Sequence, residues 1–419
     1  MFYDENLILL GILNEVRITI THIMKKLSKL FLLGVLFSSA AIAQDENTPE
    51  EGFVFTTVKE NPITSIKNQN RSGTCWSFSG NALLESELLR MGKPEADISE
   101  MFVVYNNYID KADKYVRMHG EVNFAAGGSF YDVLYVLKHY GAVPAEIYQG
   151  LNYGEENHVH NEMDALSKAY VDQVIKLKTL TPVWKNGYEG IISSYLGEVP
   201  EKFTYKGKEY TPKTYAKELG LNADDYVSIT SYTHHPFYEQ FVLEIPDNWR
   251  WASSYNVPVE ELNEIVENAV NKGYTVAWGS DVSEKGFTRK GLATLPDIKG
   301  TDLTGSDAAR WLGLSKEEKD KEVEKMMKSP SAELNVTQEN RQKGFDNYET
   351  TDDHGMLIYG IAKDQNGNPY YMVKNSWGET GDYKGIWYAS YPFFKAKTMN
   401  VVLHKDALPK SIAKKLGIK

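Results

Sequence analysis

Cys75 is the only cysteine in 419 residues, and it stands in the run Gln69-Asn-Arg-Ser-Gly-Thr-Cys75-Trp76-Ser-Phe78. A lone thiol cannot form an internal disulfide and is too few for a cysteine metal cluster. The turn-rich stretch Asn68 to Thr74 precedes it, and the apolar run Trp76 to Met91 follows. That pattern predicts a helix beginning at the cysteine, where the dipole and free N–H groups favour a thiolate. A small buried hydrophobe is the plainer reading of a free cysteine, so the partners decide. One is Thr351-Asp-Asp-His354-Gly-Met-Leu-Ile, a histidine opening an apolar strand. The other is Tyr371-Met-Val-Lys-Asn375-Ser-Trp377-Gly378, an asparagine closing one. A hairpin brings such positions together. The asparagine carbonyl can accept from one imidazole N–H and leave the other nitrogen for the sulfur, with Trp377 covering that bond from water. Gln69 can place an amide N–H near the sulfur and form an oxyanion hole with the Cys75 backbone N–H. The four roles suit acyl transfer through a thiolate.

The elements that must hold these residues follow from patterning. The run from Cys75 to Met91 is apolar on more than one side, as a buried helix is, and it stops at Gly92-Lys-Pro94. Further helices are expected at Phe130–Tyr140, around Met163 to Leu177, at Glu260–Asn271, and from the Ser315/Glu318 capping box to about Lys328. Strands are expected at Tyr274–Trp278, Met356–Ile361, Tyr370–Lys374 and Gly385–Tyr391, with an Asp364–Pro369 turn making a hairpin. Helices first and antiparallel strands last is an α+β pattern.

The N-terminus reads as a targeting segment. Met24-Lys25-Lys26-Leu-Ser-Lys29 is a basic start, Leu30 to Ile42 is apolar, and Ala41-Ile42-Ala43 is a cleavage site before Gln44. The alternative is a short membrane anchor, for which the run is too brief. Residues 1–23 would be a misread start, Asp45 to Glu51 a loose acidic lead, and the mature chain an exported protein, periplasmic or extracellular. The first 43 residues hold four Lys/Arg and three Asp/Glu, and the remaining 42 and 54 leave a net charge of −12. That argues against a general nucleic-acid partner. His158-Val-His160 and His234-His235 lack metal-site spacing and read as surface or loop histidines. His119 and His139 read as structural, Lys316 to Lys328 as a solvated helix face, and Asn335-Val-Thr337 as a glycosylation pattern in spelling only.

Gln69, Cys75-Trp76, His354 and Asn375-Ser-Trp-Gly together resemble the papain-like cysteine peptidases. There are departures. Ser72 stands where that family has a disulfide cysteine. His354 follows Cys75 by 279 residues and Asn375 by 300, against about 130–150 in typical members. Such enlargement is similar to the bleomycin hydrolase / aminopeptidase C branch. Gly127-Gly128-Ser-Phe-Tyr-Asp, Lys138 to Pro144, Gly273 to Asp281 and Val401-Val-Leu-His-Lys support the likeness. It covers most of residues 60–410 and is weakest at 150–260. The resemblance implies a helical wall (44–145) with Gln69 and Cys75, an insertion (146–260), and a strand-rich wall (261–419) with His354 and Asn375, itself interrupted near 288–345. It implies hydrolysis of peptides by thiolate acyl transfer, with no metal and no cofactor, and Gly127 and Gly128 at the substrate cleft, a plain turn being the other reading of that pair. It also implies aminopeptidase action limited by the chain's own C-terminus, and a six-fold homo-oligomer. The basic tail Lys410 to Lys419 departs from the branch, which keeps an endopeptidase with an open cleft as the alternative. A silent peptide-binding scaffold and an acyltransferase or transglutaminase-like enzyme are the other readings.

Overall fold

The structure, a computed structural model, describes residues 52–297, 326–418 and five positions between them (315, 317, 318, 321 and 324). The export signal and acidic lead lie outside the described residues, as does most of the helix expected after Ser315. Its cap is present: Ser315 N and Oγ each donate to Glu318 Oε2 at 2.8 Å.

Strand β1 (Thr56–Glu60) leads into helices α1 (Cys75–Arg90), α2 (Glu100–Arg117) and α3 (Phe130–His139). Then come α4 (Asn161–Val174), α5 (Val183–Leu196), a small hairpin β2 (Phe203–Tyr205) and β3 (Lys208–Tyr210), and α6 (Pro212–Leu219). Next are β4 (Tyr226–Thr230), β5 (Gln240–Val242), β6 (Ser253–Asn256), α7 (Val259–Asn271), β7 (Val276–Ser280), β8 (Leu292–Ala293) and α8 (Gln338–Asp346). The chain closes with β9 (His354–Lys363), β10 (Pro369–Lys374), β11 (Ile386–Ser390), α9 (Tyr391–Lys397), β12 (Thr398–His404) and α10 (Lys410–Lys415). The main sheet runs β5-β6-β4-β12-β7-β9-β10-β11-β8, with β1 added beside the end of β9. Its pairs are antiparallel except β4 with β6 and β8 with β11. The α+β class expected from the sequence is observed.

Alternate residues of each central strand enter two different cores, as the two-residue period of a strand requires. Ala277, Leu357 and Val402 join Trp76, Leu84, Phe102 and Val136 of the helices α1 to α3. Val276, Trp278, Met356, Ile358, Val401 and Leu403 join Leu262 and Val266 of α7, Phe393 and Phe394 of α9 and Ile412 of α10. Helix α1 lies against the sheet with every residue from Trp76 to Leu88 buried. It ends in a Schellman motif, with Gly92 at φ +72°, Lys93 N donating to Leu88 O at 2.9 Å and Gly92 N to Leu89 O at 3.0 Å. The Asp364 turn makes the expected hairpin: Asp364 Oδ1 accepts from Asn366 N and Asn368 N, both at 2.9 Å, and Lys363 pairs with Pro369.

Several elements were not anticipated from the sequence, and two of them bear on the site. Strands β4 to β6 come from residues read as part of an insertion, so the sheet draws on chain well before residue 261. Helix α2 was not anticipated. Phe102, Val103, Val104 and Tyr105 have strand-like propensities, but Ser99 caps the segment by accepting from Phe102 N at 3.0 Å, and burial of every residue from Glu100 to Tyr108 overrides propensity.

Candidate active site

Cys75 is the first residue of α1. The first N–H groups of a helix have no partner within it, and the backbone N–H groups of Trp76 and Gly355 lie where they favour the Cys75 thiolate. Gly355 follows His354 on β9, so the strand that carries the imidazole also borders the thiol. Cys75 and His354 line one cleft.

The β9–β10 hairpin brings His354 and Asn375 together, with Nε2 of His354 2.8 Å from Oδ1 of Asn375. Ser376 N donates to the same Oδ1 at 2.7 Å. A backbone N–H can only donate, so that atom is the amide oxygen. Nε2 must therefore carry a proton, and Nδ1 is the imidazole nitrogen left to act as base. Trp377 lies beside the imidazole, ring centroids 4.8 Å apart and planes tilted by 30°. Asn375 and His354 are both buried.

Gln69 is fixed to the same loop. Its backbone N donates to Ser376 O at 2.8 Å, and its Oε1 accepts from Ser376 Oγ at 2.6 Å. Since a hydroxyl occupies Oε1, the Gln69 amide N–H is left to point elsewhere. Ser376 was visible in the sequence only as a flank; its part in orienting both amides was not.

Trp76 lines the cleft, and its Nε1 donates to Ala126 O at 3.1 Å. Gly128 lines the cleft beside it: an added Cβ would lie 2.8 Å from Trp76 Cε2. Gly127 does not line it; a Cβ there would collide with the Asp247 carboxylate, which does. Asp352, two residues before His354, is a further wall residue. Neither aspartate was singled out from sequence. Asp352 could have been, from its place in Asp-Asp-His; Asp247 lies in the stretch where no motif guides the eye.

Burial works against the thiolate that the helix start favours. Burial pushes the Cys75 thiol up to about 12; the N–H groups of Gly355 and Trp76 oppose this, and the charges of Asp247 and Asp352 add to it. Burial likewise lowers His354 to about 4 against the opposing effect of the Asn375 bond. Both shifts oppose charge on either group alone, so a thiolate and an imidazolium would each stabilise the other.

The histidine expectations also change in part. His160 is fully buried rather than superficial, with both ring nitrogens unpartnered among the described residues. His234 and His235 are at the surface, where both face Glu244, at 2.9 and 3.5 Å.

The sequence model of the Peptidase C1-like family matches residues 36–328 and 305–418. The chain belongs to that family. It is 24% identical over 403 residues to aminopeptidase G of Lactobacillus delbrueckii subsp. lactis, covering 85% of this chain and 84% of that one. It is 24% identical over 402 residues to aminopeptidase E of Lactobacillus helveticus, with 85% and 84% covered. A mitochondrial cysteine proteinase 1 of Saccharomyces cerevisiae (strain YJM789) matches at 22% over 416 residues, with 87% and 80% covered. Among solved structures, PepW from Lactobacillus rhamnosis HN001 superposes with a TM-score of 0.64 at 19% identity, covering 86% of this chain and 84% of that one. That likeness bears on the fold.

Proposed function

We propose that the protein is a cysteine-type aminopeptidase of the bleomycin hydrolase type, and that Cys75, His354, Asn375 and Gln69 carry the reaction. The observation that supports this most is the hydrogen-bond chain His354–Asn375–Ser376–Gln69, which sets the base and the oxyanion donor from one loop. In this reading the substrate's scissile carbonyl approaches Cys75. Nδ1 of His354 takes the thiol proton as sulfur attacks the carbonyl carbon. The oxyanion is held by the Gln69 amide N–H and the Cys75 N–H, placed where charge develops. The imidazolium then protonates the leaving amine, a thioester remains on Cys75, and water hydrolyses it with His354 again as base.

The names of the similar aminopeptidases support the exopeptidase reading. An endopeptidase is favoured by one observation: Leu408, Ile412 and Leu416 pack in the core on the far side of the sheet, with Ile418 against it. Residues 408–418 thus lie away from the helix side, where Cys75 sits, and do not obstruct the cleft. The test is cleavage of one peptide with its N-terminus free and again acetylated, in reducing buffer, with Cys75→Ala as control. Cleavage of the free form alone supports an aminopeptidase; cleavage of both identifies an endopeptidase.

The sequence signal at residues 24–43 supports action outside the cytoplasm, and the family resemblance supports a homo-oligomer. Cell fractionation and sedimentation test these. Finding the protein with its first 43 residues intact in the cytosol would contradict export.

A further inference from the structure

We propose that Asp352 and Asp247 together hold the free α-ammonium of the substrate, so that the cleft itself measures one residue from the chain end to Cys75. This rests on the aminopeptidase reading above.

Both carboxylates line the cleft with Cys75 and His354. They come from separate elements, Asp352 from the approach to β9 and Asp247 from the loop between β5 and β6, so the fold converges them. The buried carboxylates of helices α1 to α3 are matched by cations, whereas Asp352 and Asp247 are half-buried. Asp132 accepts from Arg250 Nε at 2.6 Å and from Trp249 Nε1 at 3.2 Å. Glu85 and Glu100 pair with Lys67. Asp352 has no hydrogen-bond or ion-pair partner among the described residues; its charged neighbours are Asp247 and Asp353, and they, after burial, push it up to about 8. Asp247 accepts one neutral bond, from Asn123 Nδ2 at 3.1 Å. The nearby Lys111 ammonium is committed to the carbonyls of Ala125 and Gly127. Two carboxyl groups thus face the space beside the nucleophile with Lys111 as the nearby cation, and burial and mutual repulsion resist ionisation of Asp352. Their charge also opposes ionisation of Cys75.

A cation between the two carboxyl groups favours their ionised forms and offsets their opposition to the Cys75 thiolate. An α-ammonium brings three N–H donors to acceptor-only carboxylates. Its arrival offsets the charge that resists the thiolate, so the correct substrate eases its own attack. A lysine side chain offers the same chemistry, and the experiment separates the two.

The test uses the full-length enzyme and three fluorogenic amides: leucyl, N-acetyl-leucyl and N-acetyl-lysyl. Asp352→Asn and Asp247→Asn are each expected to lower kcat/KM for the leucyl amide about tenfold or more, mainly through KM. Alkylation of Cys75 by iodoacetamide is expected to stay at least as fast, because a charge opposing the thiolate is gone. An unchanged kcat/KM in both variants overturns the proposal. So does a loss confined to the N-acetyl-lysyl amide, which would mark a basic side-chain pocket. Equal cleavage of leucyl and N-acetyl-leucyl amides by the unaltered enzyme overturns the aminopeptidase reading itself, and shows before any variant is made. Should the variants fail to fold, leucinamide is expected to protect Cys75 of the unaltered enzyme from iodoacetamide and N-acetyl-leucinamide not to. Equal protection overturns the anchor.

Discussion

At the scale of residues, the decisive atom is Asn375 Oδ1. It accepts from both Ser376 N and His354 Nε2, and that double acceptance assigns the imidazole tautomer. Asn375→Ala is expected to lower kcat by about 10²-fold, the lower range for a general base left unpositioned, with KM little changed. Gln69→Ala is expected to cost about 10²–10³-fold in kcat, as for loss of one oxyanion donor. Steady-state kinetics on the leucyl amide reads both, and a variant whose loss falls wholly on KM would refute the assigned role. The pH profile follows from the same pair. His354 is lowered to about 4 and Cys75 raised to about 12, so between those limits the pair holds one proton to share. It takes up a second only below about pH 4, and kcat/KM is expected to fall there; an acid limb near the ordinary histidine value would contradict this. These four residues were legible in the sequence because each sits in a short, distinctive run. Asp247 was not, because its meaning depends on a glycine 120 residues earlier that only the fold brings beneath it.

At the scale of elements, the loop bearing Gln69 is pinned by a buried ionic knot. Lys67 pairs with Glu85 of α1 at 2.9 Å, Glu100 of α2 at 2.5 Å and Asp97 at 2.6 Å. Thr64 Oγ1 donates to Glu85 at 2.6 Å, and Lys374 of β10 donates to Thr64 Oγ1 at 2.8 Å. The knot joins both sides of the site one residue from Asn375. Lys67→Met leaves two buried carboxylates unmatched and is expected to lower stability by about 3 kcal/mol or more; urea unfolding measures it, and a change under about 0.5 kcal/mol would show an ordinary surface position instead. On the other flank, Arg71 N donates to His158 O at 3.0 Å and His160 N to Arg71 O at 3.2 Å. Burial lowers His160 to about 3 from 6.5, with His158 adding to it. The unfolded chain then binds a proton between those values that the folded chain refuses, so this histidine's contribution is present above pH 6.5 and is lost as pH falls toward 3. His160→Leu is expected to flatten the decline of melting temperature across that window relative to the unaltered protein. An identical decline would assign it elsewhere. Helices α1, α3 and α7 and the β9–β10 hairpin were legible from periodicity and turn chemistry. Helix α2 and strands β4 to β6 were not, since their residue types fit more than one state and packing chooses.

At the scale of the whole molecule, a single sheet organises the chemistry. One face supports α1 and hence Cys75; its central strand β9 opens with His354, and Asn375 directly follows β10. The other face buries the C-terminal segment. The sequence showed the helix-then-strand order and the two catalytic halves. It did not show that chain from 226 to 256 completes the sheet and delivers Asp247 to the cleft, because short strands of three to five residues carry little pattern of their own. The account stands or falls on a covalent intermediate at Cys75. Full-length protein mixed with an excess of leucyl ester in reducing buffer, quenched in acid and digested, is to be examined by mass spectrometry. The account expects a leucyl group on the peptide containing Cys75, absent in Cys75→Ala together with all turnover. An unmodified Cys75 peptide, with turnover surviving in Cys75→Ala, would contradict it.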